Sequence, residues 1–162
     1  MYRAVDVAWK MLKVAHSKGI QLSHLQLQKL VYIAHGYLLG WKLTPLIQEN
    51  VEAWNYGPVI SSIYHEFKEC GDNKIILNNN AEFATELDND ADACAVISGV
   101  LDLYGRLDAM HLVNLTHQAN TPWDDAWNIQ GGRQYYSYPI DNELIKNHYR
   151  KVLANPTAVG GL

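Results

Sequence analysis

Residues 24–39 read His24-Leu25-Gln26-Leu27-Gln28-Lys29-Leu30-Val31-Tyr32-Ile33-Ala34-His35-Gly36-Tyr37-Leu38-Leu39. Leu27, Leu30, Val31, Ala34 and Leu38 recur at the spacing of one helical face. Leu25, Tyr32, Ile33, Tyr37 and Leu39 lie off that stripe. A helix apolar nearly all round needs cover on several sides, so 24–39 is expected to be the central element. Ser23 suits its N-cap, Gly40 a stop, and Pro45 bars a long continuation.

Upstream, Ala4, Val7, Ala8, Met11, Leu12 and Ala15 form another helical face that Gly19 ends. Downstream, residues 46–54 fit two short extended pieces about a polar turn, a possible hairpin. Pro58 is expected at the first position of a helix carrying Val59, Ile60, Ile63, Tyr64 and Phe67, which Gly71 ends. Residues 71–92 are polar, with a short strand expected at Lys74–Leu77 and loop at 78–80 and 86–92. Asp92 is expected to cap a helix over 93–105, and Asp108 the next. Pro122 closes that region. Asp141 caps the last helix, with Ile140 and Ile145 at hydrophobic-staple spacing. The tail 155–162, with its Gly, Pro and Thr, is expected to be flexible.

These elements predict a mainly α, compact single domain over 1–154, a bundle of about six helices with a small β hairpin or short strands. The 162 residues suit one domain. A chain of that size hides roughly 69% of its surface on folding, enough for a core without disulfide or metal. Thirteen basic against seventeen acidic residues give a net charge of −4, which opposes a nucleic-acid partner. Cys70 and Cys94 form no CxxC or disulfide framework, which favours a reducing, cytoplasmic setting. No apolar run is long enough to span a membrane, and Asp6 and Lys10 break the N-terminal apolar stretch, unlike a signal peptide.

No catalytic, cofactor or metal site emerges. His24 and His35 share a helical face but sit roughly 16 Å apart along the axis. His111 and His117, six apart, point in different directions. There is no HExxH, GxSxG, GxGxxG or Walker A motif. His35, His117 and Cys94 remain the candidates for an enzymatic role.

Aromatic residues with polar handles crowd the non-helical parts. Trp54 and Tyr56 flank Gly57-Pro58, and Trp123, Trp127, Tyr135, Tyr136 and Tyr138 fall within 123–138. Such residues either pin loops to the domain's own helices or anchor a protein interface. Trp54, Tyr56, Gly57, Pro58, Trp127, Tyr135 and Tyr136 are the candidate protein-binding residues.

The series Leu27-Gln28-Lys29-Leu30-Val31-Tyr32-Ile33-Ala34-His35-Gly36-Tyr37-Leu38, Pro45-Leu46, Glu52-Ala53-Trp54-Asn55-Tyr56-Gly57-Pro58-Val59, Ile63-Tyr64 and Phe67 resembles the Panacea antitoxin domain, also called the SocA-like or phage-associated GepA-like family. Leu115-Thr116-His117, Pro122-Trp123 and Ala126-Trp127 resemble a later element of it. The likeness covers residues 4–128. Ser61-Ser62 depart from it, standing where many members carry a proline.

The resemblance implies an antitoxin that neutralises a cognate protein toxin, from an adjacent gene, by direct contact. It also implies an alternative: a proteolytic adaptor that delivers a toxin to a protease, with 155–162 or 78–92 as the tether. An enzyme acting on the toxin or its target is the third reading.

Overall fold

The computed structural model describes residues 1–77 and 85–155. Helix α1 spans Ala4–Ser17 and α2 spans His24–Lys42. Strands β1 (Val51–Trp54) and β2 (Gly57–Val59) precede α3 (Ser61–Phe67). Then come a short α4 (Thr85–Asp88), α5 (Ala91–Tyr104), α6 (Ala109–Thr116), a short α7 (Pro122–Asp124), β3 (Tyr138–Ile140) and α8 (Asn142–Ala154). The fold is mainly α, with six longer helices and one small antiparallel sheet among the described residues.

Helix α2 is the central element, contacting α1, α3, α5, α6, α8 and β2. Thirteen of its residues are buried, including Gln26, Gln28, Lys29 and His35. Burying polar groups is unfavourable unless they are hydrogen-bonded, and here each bonds the backbone of a surrounding segment. Gln26 completes a capping box with Ser23 and donates from Nε2 to Leu107 O (2.8 Å). Gln28 donates to Ile60 O (2.9 Å) and accepts from Ile60 N–H (3.0 Å). Lys29 Nζ donates to Pro58 O (2.8 Å). His35 Nδ1 accepts from the N–H groups of Leu46 and Ile47. The helix therefore orders the chain around it through polar struts as well as by apolar burial.

Gly40 does not stop this helix. It sits 3 Å-close against α8: a Cβ there would lie 2.9 Å from the Tyr149 carbonyl carbon and 3.0 Å from Arg150 N. The glycine serves helix–helix approach, and α2 continues to Lys42, closing with Leu43 in the left-handed region (φ 61°).

The hairpin lies later than the sequence suggests. Pro58 opens no helix; it belongs to β2, and α3 starts at Ser61. The sheet order is β2-β1-β3, with Glu52 opposite Val59 and Val51 opposite Ile140. Pro58 is tolerated because β2 is an edge strand.

Four smaller expectations are also corrected. Asp90, not Asp92, caps α5, accepting from Ala93 N–H (2.9 Å) and from the Tyr2 hydroxyl (2.8 Å); Asp92 instead pairs with Lys42. Lys74 makes one isolated bridge to Ser23 rather than starting a strand. Residues 85–88 form a helical turn, with Leu87 fully buried. Pro122 opens α7 instead of closing a segment, with Thr121 as its cap. The expected loop at 78–80 and the expected flexibility of 156–162 lie outside the described residues.

Candidate functional site

The β1–β2 connection is Asn55-Tyr56, both exposed. Neither adopts a positive φ; Gly57 does, at +99°. A Cβ on Gly57 would also fall 2.9 Å from Lys29 Nζ and 3.3 Å from Thr116 Oγ1. Conformation and space together make this position one for glycine. Gly57 and Pro58 are buried, so they hold the tip and Tyr56, 62% exposed, presents it.

On the neighbouring edge, the segment leading into β3 brings Tyr136 to Trp54, with ring centroids 6.4 Å apart. Tyr136 is 95% exposed and Tyr135 60%. Trp54 is half-buried, packed on Tyr64 (5.1 Å) and bonded from Nε1 to Glu52 (2.8 Å). Beneath, Trp123 is buried and donates from Nε1 to Trp54 O (2.7 Å). Trp127 stacks on Trp123 at 5.7 Å and is half-buried. The aromatics divide by burial. Trp123 and Trp127 anchor the 122–129 turn, whereas Tyr56, Tyr135 and Tyr136 are exposed, Tyr136 against Trp54 and Tyr135 against Tyr138.

The chemical candidates are dispersed. His35 is buried in α2, His117 follows α6 with its ring 5.1 Å from Trp123, and Cys94 on α5 donates from Sγ to Leu87 O on α4. Burial pulls the His35 pKa down to about 4, against a smaller upward influence of Asn142. Among the described residues no three His, Cys, Asp or Glu side chains are grouped to hold a metal. No described helix is long and apolar enough to cross a membrane.

Sequence reasoning missed the buried amine of Lys29, whose pKa desolvation lowers to about 7. The signal was a lysine within a segment apolar on every side. It also missed an apolar groove on the α2–α5–α8 side, lined by Tyr37, Trp41, Val100, Leu103 and Leu153 around Gly99.

Residues 27–124, which include most of α2, the hairpin and Trp123, match the family described as Antitoxin SocA-like, Panacea domain. The chain belongs to this family. It is also similar to Antitoxin SocA of Caulobacter vibrioides (strain NA1000 / CB15N), 33% identical over 151 residues, covering 89% of this chain and 80% of that protein. No solved structure matches it. The family's matched segment begins on the buried face of α2 and takes in both partners of the Lys29–Pro58 contact.

Proposed function

We propose that this chain is a cytoplasmic antitoxin that neutralises a protein toxin, encoded beside it, by direct binding without catalysis. Membership of the Panacea family and the name of its SocA relative support the antitoxin role. The observation that carries direct binding is the aromatic edge: Tyr136, almost fully exposed, stands against Trp54 beside the exposed Tyr56. Tyrosines give large contact area with few torsions to freeze, and they are enriched at the centre of binding interfaces. Trp54, held from both sides, provides a fixed base for them. The net charge of −4 favours a protein over a nucleic acid as partner.

Co-expression with the product of the adjacent gene tests this. The chain is expected to rescue growth and to co-purify with that product. Failure of both would end the proposal. A shortened toxin half-life in its presence would instead identify the proteolytic-adaptor route. Loss of rescue in His35→Gln, His117→Ala or Cys94→Ala with binding intact would point to an enzyme.

A further inference from the structure

Lys29 contributes nothing to the surface of the aromatic edge, yet it touches the backbone that builds it. Its side chain is fully buried, and its amine donates to Pro58 O at 2.8 Å. The same amine occupies the space a side chain on Gly57 would need. Pro58 has no N–H, and among the described residues β2 has no strand on its outer side. The Lys29 bond and the Gln28–Ile60 pair therefore stand where a fourth strand would hold this edge. A methionine would fill a similar volume, so packing alone does not require an amine.

We propose that Lys29 is the positioning residue of the Tyr56 edge, its buried amine fixing the Gly57–Pro58 backbone so that the edge's presentation depends on the amine's charge. This rests on the reading of that edge as the toxin-binding surface.

The surroundings give the sign. From β2 the amine meets Gly57 and the Pro58 carbonyl; from α6 the nearby group is the Thr116 hydroxyl, which donates to Leu112 O and Val113 O. The adjoining His117 turns its ring to Trp123. Among the described residues, no carboxylate pairs with Lys29, and desolvation alone lowers its pKa, to about 7. Protonation places an uncompensated charge against β2, which is unfavourable in a dry interior. An ammonium binds the Pro58 carbonyl more strongly than the amine does, but it must draw in water to offset its charge; the neutral amine leaves the corner dry and tight, and charging it loosens the corner.

The test is a titration from pH 5.5 to 9 of uniformly ¹⁵N-labelled full chain. It follows the Lys29 side-chain nitrogen and the Tyr56 and Gly57 amides, with toxin affinity measured in parallel. The amides are expected to shift with the lysine's own midpoint, near 7. In Lys29→Met this titration should vanish, and affinity at pH 8 should fall at least tenfold, as for Tyr56→Ala. Amides that do not follow the lysine overturn the proposal, and that arm needs only the wild-type chain should Lys29→Met fail to fold. A folded Lys29→Met with wild-type affinity, beside a weakened Tyr56→Ala, overturns it too. If the amides follow the lysine but neither variant alters affinity, the docking surface is wrong and the positioning by Lys29 stands.

Discussion

His35 on α2 and Asn142 at the start of α8 are joined by a 3.0 Å hydrogen bond between Nε2 and Oδ1. Because Nδ1 accepts from Leu46 and Ile47, the ring proton sits on Nε2 and donates to Asn142. One neutral imidazole thus ties the central helix, the turn after it and the last helix together.

Neutrality makes that tie acid-labile. The folded pKa is about 4, below the ordinary 6.5. As pH falls from 6.5 towards 4, the unfolded chain takes up a proton that the native state refuses. The contribution of His35 is complete above 6.5 and is lost across that window, by roughly 3 kcal/mol at 1.36 kcal/mol per pKa unit. Urea unfolding at pH 7 and 4.5 measures it. His35→Gln, which keeps an acceptor but does not titrate, is expected to lose this part of the pH dependence. Asp90, whose pKa is lowered chiefly by its bond from Ala93 N–H, acts below its ordinary 3.8 and so outside this window.

Two helical glycines give opposite expectations. A Cβ on Gly36 would fall 2.2 Å from the Tyr149 ring, which also packs on Tyr32 and Tyr37. Displacing that ring overpacks the α2–α8 contact, and Gly36→Ala should lose about 3 kcal/mol or fail to fold. Gly99, in the apolar groove, has nothing within 4 Å of its Cβ position. Gly99→Ala should gain about 0.5–1 kcal/mol from helix propensity. Thermal unfolding separates them, at roughly 2–4 °C per kcal/mol.

What was legible in the sequence was local. The apolar face of α1 and the Ser23, Asp108 and Asp141 caps all act within a few residues, and Ile140 and Ile145 on either side of the last cap are both buried. The aromatic edge was legible as composition. What stayed hidden depends on distant chain. Glu49 caps α1 by accepting from Ala4 N–H (2.8 Å). Gly40 resembles a helix stop until Tyr149 is packed against it. Pro58 looks like a helix start unless β1, paired on its other side with residues 138–140, is already in place. Trp54 and Tyr136 meet only because of that same pairing.

Lys29 gives a second pH window with the same direction. Its folded pKa of about 7 lies below the ordinary 10.5, so the native state sheds its proton first. Stability rises as pH increases from 7 to 10.5 and is lost as pH falls back, by up to about 1.4 kcal/mol per pH unit. Lys29→Met should flatten that slope. Denaturation midpoints at pH 7.5 and 9.5, converted with a common m-value, measure the difference; a wild-type slope unchanged in the variant would show that another group titrates.

Tyr136 separates binding from folding most cleanly. At 95% exposed, its ring contributes little to the core, so Tyr136→Ala should change stability by no more than about 0.5 kcal/mol. If the edge is the docking surface, the same change should weaken toxin binding by about 2 kcal/mol, roughly 30-fold. Tyr56→Ala should behave alike, because its side chain leaves the Gly57 backbone and the Lys29 bond in place. Leu103→Ala, on the α5 groove and 62% exposed, serves as the control and should bind as wild type. Titration calorimetry against the purified product of the adjacent gene gives the affinities, and growth rescue gives the cellular counterpart. Weakening by Leu103→Ala with Tyr56→Ala and Tyr136→Ala silent would move the interface from the hairpin to the groove between α2, α5 and α8.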